Sequence, residues 1–412
     1  MGHDLGSLTM LFQVPPLDAR DLAVIREIDE MRVELRQDTH APKKWTGVLR
    51  RNLLAKAIQG SNSIEGYDVN EDDAIAAVED DEPQDADAQT WVEILGYRTA
   101  MSYVLQLADD PHMTLDPSLV RSLHYMLLSH DIGKSPGRFR TGPIFVRDER
   151  ADKTVYEGPP FAFVPALLDE LMLEVAAAQP DVPVYVRAAM AHLNLVMIHP
   201  FRDGNGRMAR CLQTLVLSRD QVAAPVFSSI EEFLGHNTED YYAVLAVTAD
   251  GQWQPARDTT AWVRFNLRAH HIQAQTVLAR NAETAALWNG VEALVDREGL
   301  PERSVPAVFD AAYGLRLRRS SYERSTGVEA KTATRDLAAL VSAGLLLAEG
   351  EKRGRQYRGS EALRALRSEA RRARQPVVEP YLDFRGWLAH QTAQLSSRPV
   401  GIEQLEFSPD PP

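Results

Sequence analysis

Residues 199–210 read HPFRDGNGRMAR. The stretch leading into them, AAMAHLNLVMIHP (188–200), is apolar enough for a buried helix. Pro200 predicts that this helix stops near His199, because the residue before a proline is pushed out of the α region. DGNG must then be a tight loop, since glycine accepts positive φ without a steric penalty. On the helix that follows, Arg207 and Arg210 sit three apart and share a face. A glycine-rich turn running into a helix N-terminus presents backbone N–H groups to an anion. Two arginines on the same turn extend that site to a longer polyanion. Asp203 is a hard oxygen ligand of the kind Mg²⁺ on a polyphosphate requires. His199, with an unperturbed pKa of about 6.5, can take a proton from an attacking hydroxyl. The chemistry these residue types describe is a polyphosphate with its metal, and a nucleophile deprotonated beside it.

Outward from this stretch, helical periodicity dominates. LDARDLAVIREIDEMRVELRQ and FVPALLDELMLEVAAAQ carry Ala, Leu, Glu and Arg at helical spacing. RNLLAKAIQGSNSIEGYDV (51–69) predicts a helix ending near Gly60 or just after Ser61, and EDDAIAAVEDDEPQDADAQ a solvated connector or weak helix. PGRFRTGPIFVRDERADKTVYEGPP (136–160) has Gly and Pro at both ends with β-branched and aromatic residues between, which predicts a hairpin. Helices resume from Phe163 to about Asp296. After EGLPERS come three helical stretches and a basic, glycine-containing hairpin, AEGEKRGRQYRGS, the outline of a winged helix-turn-helix. The tail from Gln375 is expected to fray.

With 412 residues the chain has room for two or three domains. No apolar run approaches the roughly 18 residues of a membrane span, and MGHDLGSLTMLFQVPPLDAR is a poor signal peptide. Gly6 stands where a myristoylation motif wants Ser or Thr. The single cysteine, Cys211, excludes internal disulfides and thiolate zinc clusters and suits a reducing cytoplasm. The net charge of −13 disfavours nonspecific nucleic-acid binding by the whole chain. That charge is uneven: Glu65 to Asp87 holds eleven Asp/Glu and no Lys/Arg, whereas Arg303 to Arg374 holds sixteen Lys/Arg against eight Asp/Glu. Such asymmetry points to different partners for the two ends.

The string from His199 to Arg210 resembles the complete signature of the Fic family, without a departure. SLHYMLL, the hairpin beginning PGRFR, and NTEDYYAVLAVTADGQWQP extend the resemblance over roughly residues 90–280. It implies a mainly α fold with a helical core and a small β-hairpin flap, and a protein adenylyltransferase that moves AMP from ATP, with Mg²⁺, onto Ser, Thr or Tyr hydroxyls of a target protein or of itself. It further implies His199 as base, Asp203 as Mg²⁺ ligand, Gly204, Asn205 and Gly206 around the α- and β-phosphates, and Arg207 and Arg210 on the β- and γ-phosphates. Phe201 would anchor the loop, Tyr241 and Tyr242 would lie on the adenine side, and the flap would align the target by strand addition. SNSIEG matches the family's inhibitory pattern through Ser61, Glu65 and Gly66, which implies autoinhibition by a helix N-terminal to the core.

The organisation expected is an N-terminal helical region with the inhibitory motif (1–89), a Fic core (90–285), a winged-helix-like domain (286–374) and a tail (375–412). IGKS (132–135) resembles the end of a phosphate-binding loop, but its first glycine would fall at Leu128, which excludes it. His192 reads as a packed helix residue and His270-His271 as a polar helix face. The basic C-terminal unit can bind DNA, with KTATRDLAAL as recognition helix, or protein; a homodimer is also open. Besides adenylyl transfer, the same residues serve removal of AMP or transfer from another donor. A reading of a different class is a DNA-binding regulator that only senses ATP.

Overall fold

The computed structural model describes residues 10–397, apart from 41–42, 109, 149–152, 178, 221–226, 228, 352–353 and 373. The fold is mainly α-helical. α1 (Ala19–His40), α2 (Thr46–Ile64) and α3 (Glu71–Val78) form the N-terminal region. α4 (Ala88–Leu107) and α5 (Pro117–Leu128) each begin at an aspartate, Asp87 and Asp116, whose side chain accepts first-turn N–H groups that the helix cannot satisfy. The antiparallel pair β1 (Phe145–Asp148) and β2 (Lys153–Glu157) follows. Next come α6 (Val164–Ala176), α7 (Val184–Ile198), α8 (Asn205–Arg219), α9 (Glu231–His236), α10 (Thr238–Ala249) and the long α11 (Thr260–Arg297). The C-terminal unit runs α12 (Val305–Tyr313), β3 (Leu317–Arg318), α13 (Arg319–Thr326), α14 (Ala330–Ser342), β4 (Leu346–Glu349) and β5 (Gln356–Gly359), with strand order β3-β5-β4. α15 (Glu361–Arg371) and α16 (Phe384–Ser397) complete the described chain. Among the described residues no helix is long and apolar enough to cross a membrane.

α7 is apolar on nearly every side because α6, α8 and α11 all pack on it. It lies at the centre of the core, and the loop at its end is therefore mounted on closely packed helices. α2 lies on α9 at backbone contact distance. A Cβ on Gly60 would fall 2.3 Å from the Glu231 carbonyl oxygen, and one on Gly235 would fall 2.7 Å from Gly60 Cα.

Several expectations change here. α2 does not stop at Gly60 or Ser61 but continues to Ile64, since Gly60 serves helix packing rather than termination. Of the two readings of the acidic run, a helix holds for its first part, α3, which Asn70 caps; the rest is no loose connector, since Asp73 accepts the N–H groups of Gln84 and Asp85 to fold the segment back. The expected boundary at residue 285 falls inside α11, one continuous helix. The third helix of the C-terminal unit ends at Ser342, and Gly344 at φ 72° turns the chain into β4. The tail is ordered as far as α16: Phe384 and Leu388 are buried, Arg385 pairs with Asp240 at 2.9 Å, and the Tyr381 hydroxyl donates to Asp21. His270 and His271 are buried against α1 rather than on a polar face. His270 meets Arg32 at 3.1 Å and His271 meets Glu27 at 2.9 Å.

Candidate active site

α7 closes at His199, whose N–H donates to the Leu195 carbonyl while φ 50° and ψ 58° put it in the left-handed region. A non-glycine residue there costs about 1–3 kcal/mol unless its surroundings hold it. Arg140 does so. Its Nε donates to the His199 carbonyl at 2.8 Å, its N–H to the Pro200 carbonyl at 2.9 Å, and its remaining nitrogens to Gly142 and Pro159 at the base of the hairpin. The Tyr156 hydroxyl donates to the Met197 carbonyl at 2.6 Å, a second tie between hairpin and α7.

The His199 ring has a defined tautomer. Nδ1 lies 3.1 Å from the Val196 carbonyl oxygen, which can only accept, so Nδ1 carries the proton and Nε2 keeps its lone pair. Burial, aided by the nearby Arg140 charge, pushes the imidazole down to about 4, against the hydrogen bond to Val196, which favours the charged form. His199 is thus a neutral base at physiological pH.

The loop after it is braced from inside. Asn205 uses both ends of its amide on Phe201: its Nδ2 donates to the Phe201 carbonyl, and its Oδ1 accepts the Phe201 N–H, both at 2.9 Å. Phe201 is buried and stacks on His124 with centroids 3.7 Å apart. His124 takes the Gly137 N–H on Nδ1 and donates from Nε2 to the Asp203 carbonyl at 3.0 Å. Gly204 turns at φ 75°, where an added Cβ would stand 3.1 Å from Leu128. The chain then enters α8, whose first N–H groups, those of Asn205, Gly206 and Arg207, have no helical carbonyl to bond. Any phosphate contact by Asn205 therefore comes from its backbone, because the side chain is occupied in the loop.

Three cations surround this N-terminus. Arg207, nearly fully buried, meets the wholly buried Glu93 at 2.5 Å. Lys134 bridges Glu93 at 3.0 Å and Asp203 at 2.9 Å. Burial alone would raise the Glu93 pKa, but Arg207 and then Lys134 outweigh it and hold the carboxyl at about 2. Arg210 is buried and donates from Nε to the Ser61 hydroxyl at 2.7 Å, and from one terminal nitrogen to the Ser61 carbonyl at 3.1 Å and to Glu65 at 2.6 Å. Glu65 Oε1 lies only 2.8 Å from where a Gly206 Cβ would stand. Its carboxylate thus covers the first turn of α8, at the spot suited to an anion.

One loop and two helix ends accordingly bring together His199, Asp203, Gly204, Asn205, Gly206, Arg207, Arg210, Ser61 and Glu65. Gly66, at φ 87°, lets the chain leave α2 directly behind Glu65. Tyr242 is half-exposed at the rim, its hydroxyl 3.4 Å from the Ile64 carbonyl. Tyr241 is not brought to the site surface: it is buried, and its hydroxyl lies 3.0 Å from His192 Nε2. His192, bonded also to Gln213 at 2.5 Å, is the packed helix residue expected.

A profile described as the Fic/DOC family matches residues 114–217, a span that runs from just before α5 to near the end of α8 and contains the loop from His199 to Arg210. The chain carries a Fic domain. The protein adenylyltransferase fic-1 of Caenorhabditis elegans is 29% identical over 165 residues, 40% of this chain and 30% of that protein. The protein adenylyltransferase Fic of Nematostella vectensis is 27% identical over 196 residues, 45% of this chain and 40% of that protein. This chain thus spans less than half the length of these relatives. A Fic family protein from Desulfovibrio desulfuricans G20 shares the fold at a TM-score of 0.53 and 20% identity, over 85% of this chain and 99% of that one.

Around the Fic domain's signature, sequence reasoning passed over Glu93, His124, Lys134 and Arg140. Lys134 lies in IGKS, whose spacing excludes a phosphate-binding loop and offers no other signal. Glu93 sits in the otherwise apolar run TWVEIL, where a lone acid within a buried period was the available signal.

Proposed function

We propose that this protein is a nucleotidyltransferase that moves AMP from ATP to a Ser, Thr or Tyr hydroxyl of a protein, and that Glu65 holds it off. The carrying observation is the pairing of a neutral His199, its Nε2 lone pair available, with an anion-binding helix start flanked by Arg207 and Arg210. The hydroxyl oxygen of the target forms a bond to the α-phosphorus of ATP. Its proton passes to His199 Nε2, the bond from the α-phosphorus to the bridging oxygen breaks, and pyrophosphate leaves. Arg207, Arg210 and the first N–H groups of α8 hold the negative charge of the phosphates in line for that attack.

Asp203 suits Mg²⁺. Its carboxylate is part-exposed at the site and already attracts a cation, Lys134. Among the described residues no cluster of three metal-ligating side chains occurs, so the ion would rest on Asp203 and on the nucleotide's own oxygens, as Mg²⁺ commonly does. When bound it neutralises part of the phosphate charge.

The adenylyltransferase names of the relatives support the reaction class. The Glu65–Arg210 pair supports autoinhibition, because it takes a donor the γ-phosphate would use and puts negative charge over α8. The element order of the C-terminal unit, with α14 leading into a β4–β5 hairpin, supports a winged-helix reading. A cytoplasmic setting agrees with the single, buried Cys211.

The test is incorporation of labelled ATP by wild type, Glu65→Gly and Glu65→Gly with His199→Ala. We expect near silence, labelling, and loss of labelling by about 10²- to 10⁴-fold. Equal labelling by all three would end the proposal.

A further inference from the structure

The two charge-biased stretches of the chain meet each other. The acidic run directly follows the segment that carries Glu65. Arg316 of the C-terminal unit donates from Nε to Asp72 at 2.8 Å, and its backbone N–H reaches the same carboxylate at 2.8 Å. It also pairs with Asp85. Arg318 donates to the carbonyls of Glu82 and Pro83 at 3.3 and 3.1 Å. Arg324 meets Asp81 at 3.0 Å and the Glu79 carbonyl at 3.1 Å, and the Ser321 hydroxyl donates to Asp81 at 2.8 Å. The inhibitory helix is itself tied in: Arg51 of α2 binds Asp310 of α12 through two nitrogens, at 2.5 and 3.0 Å, and Glu79 at 2.8 Å.

This surface is continuous with the block on the active site. α3 is held to α2 by Lys56, 3.3 Å from Glu71, and the segment leading into it by Gln59, which donates to the Val69 carbonyl at 2.7 Å. The Tyr67 N–H closes onto the Asn62 carbonyl at 3.2 Å, next to Glu65. From Arg316 to Arg210 the connection thus runs through Asp72, α3, the turn after Glu65 and α2. Much of the basic surplus of the C-terminal unit is engaged inside the molecule, since Arg367, Arg371 and Arg374 also converge on the buried Glu283.

We propose that the basic face of the C-terminal unit is an interaction surface whose partner is the chain's own acidic segment, residues 71–87, and that this docking holds α2 and its Glu65 over the nucleotide site. The proposal rests on the reading of Glu65 as inhibitory. Exposed ion pairs are individually weak. This set is a network centred on multidentate arginines, and losing several together removes the support on one side of α2.

The experiment is labelled-ATP incorporation by the full chain with Arg316→Glu and Arg324→Glu, in the Glu65 and Glu65→Gly backgrounds. In the first, labelling should rise about tenfold or more, the response to a shift of about 1.4 kcal/mol in the blocked equilibrium. In the second it should not change. The reciprocal pair Asp72→Arg and Asp81→Arg should also activate, and it replaces the arginine variant should that one fail to fold. Combining both sides restores opposite charges and should return the protein towards silence. Folded charge-reversed variants as silent as wild type, beside an active Glu65→Gly, would overturn the docking proposal alone. Activation that the combined swap leaves undiminished would overturn it too. An inactive Glu65→Gly would instead count against the autoinhibition reading.

Discussion

Replacing Glu65 by Ala should make the protein less stable without nucleotide and a tighter binder of ATP. In the unliganded protein Arg210 keeps the Ser61 hydroxyl and carbonyl as acceptors but loses the carboxylate at 2.6 Å. A hydrogen bond to a charged partner contributes about 1.5–3 kcal/mol. The Glu65 side chain is 23% exposed, so water reaches the vacated side, which favours the lower half of that range, about 2 kcal/mol. The γ-phosphate supplies an anionic oxygen in its place. If the whole of that loss is recovered on binding, the affinity for ATP rises about 30-fold, at 1.4 kcal/mol for each factor of ten. The assay is calorimetric titration of ATP with Mg²⁺ into His199→Ala and into Glu65→Ala with His199→Ala, where turnover is removed, with thermal melts of both proteins with and without ATP. The double variant should melt lower alone and gain more from ATP. Equal melting alone together with equal ATP affinity would refute the reasoning, because Glu65 would then be neither supporting Arg210 nor competing for it.

Because His199 is neutral down to about pH 4, transfer by a Glu65→Gly protein should stay nearly flat from pH 8 to pH 5 and fall only as the imidazole takes a proton; a half-loss near pH 6.5 would show an ordinary, solvated histidine. Glu93→Gln should cost about 3 kcal/mol in denaturant unfolding at pH 7, because it strips a buried Arg207 of its counter-charge. The native carboxyl is held at about 2, below its unfolded value, so its contribution is complete above about pH 4.5 and is lost as pH falls toward 2. A gap between wild type and Glu93→Gln that widened in acid would contradict this. On α14, Lys331 and Arg335 remain exposed; if this helix binds duplex DNA, replacing both by Ala should weaken a gel shift and flatten its salt dependence, and the absence of any shift at low salt would leave protein as the partner.

The helix–loop–helix of the signature was legible because its constraints are local. Pro200 ends α7, the glycines permit the turn, and spacing alone puts Arg207 and Arg210 on one face. Glu65 was legible only through family resemblance; no periodicity says that a carboxylate far earlier in the chain will lie over Gly206. Glu93, Lys134 and Arg140 escaped for the same reason, since their roles arise from tertiary neighbours. Tyr241 and Tyr242 are adjacent in sequence, yet a helix turns about 100° per residue, so one enters the core while the other reaches the rim. The first hairpin was recognisable from the Gly and Pro at its two ends and the β-branched and aromatic residues between them, whereas β3, two residues long, carries too little pattern to register.

The close seating of Gly60 on α9 works as a hard stop. With bare backbone on both sides of the contact, no side chain can yield, and α2 can move no closer to α9. The placement of α2, and with it of the Glu65 carboxylate at its end, is therefore fixed on the side that faces α9. A methyl group at residue 60 or 235 would be a wedge of fixed thickness driven between α2 and α9, and under the proposed role of Glu65 it would alter the block from a seam that touches neither the nucleotide nor the target.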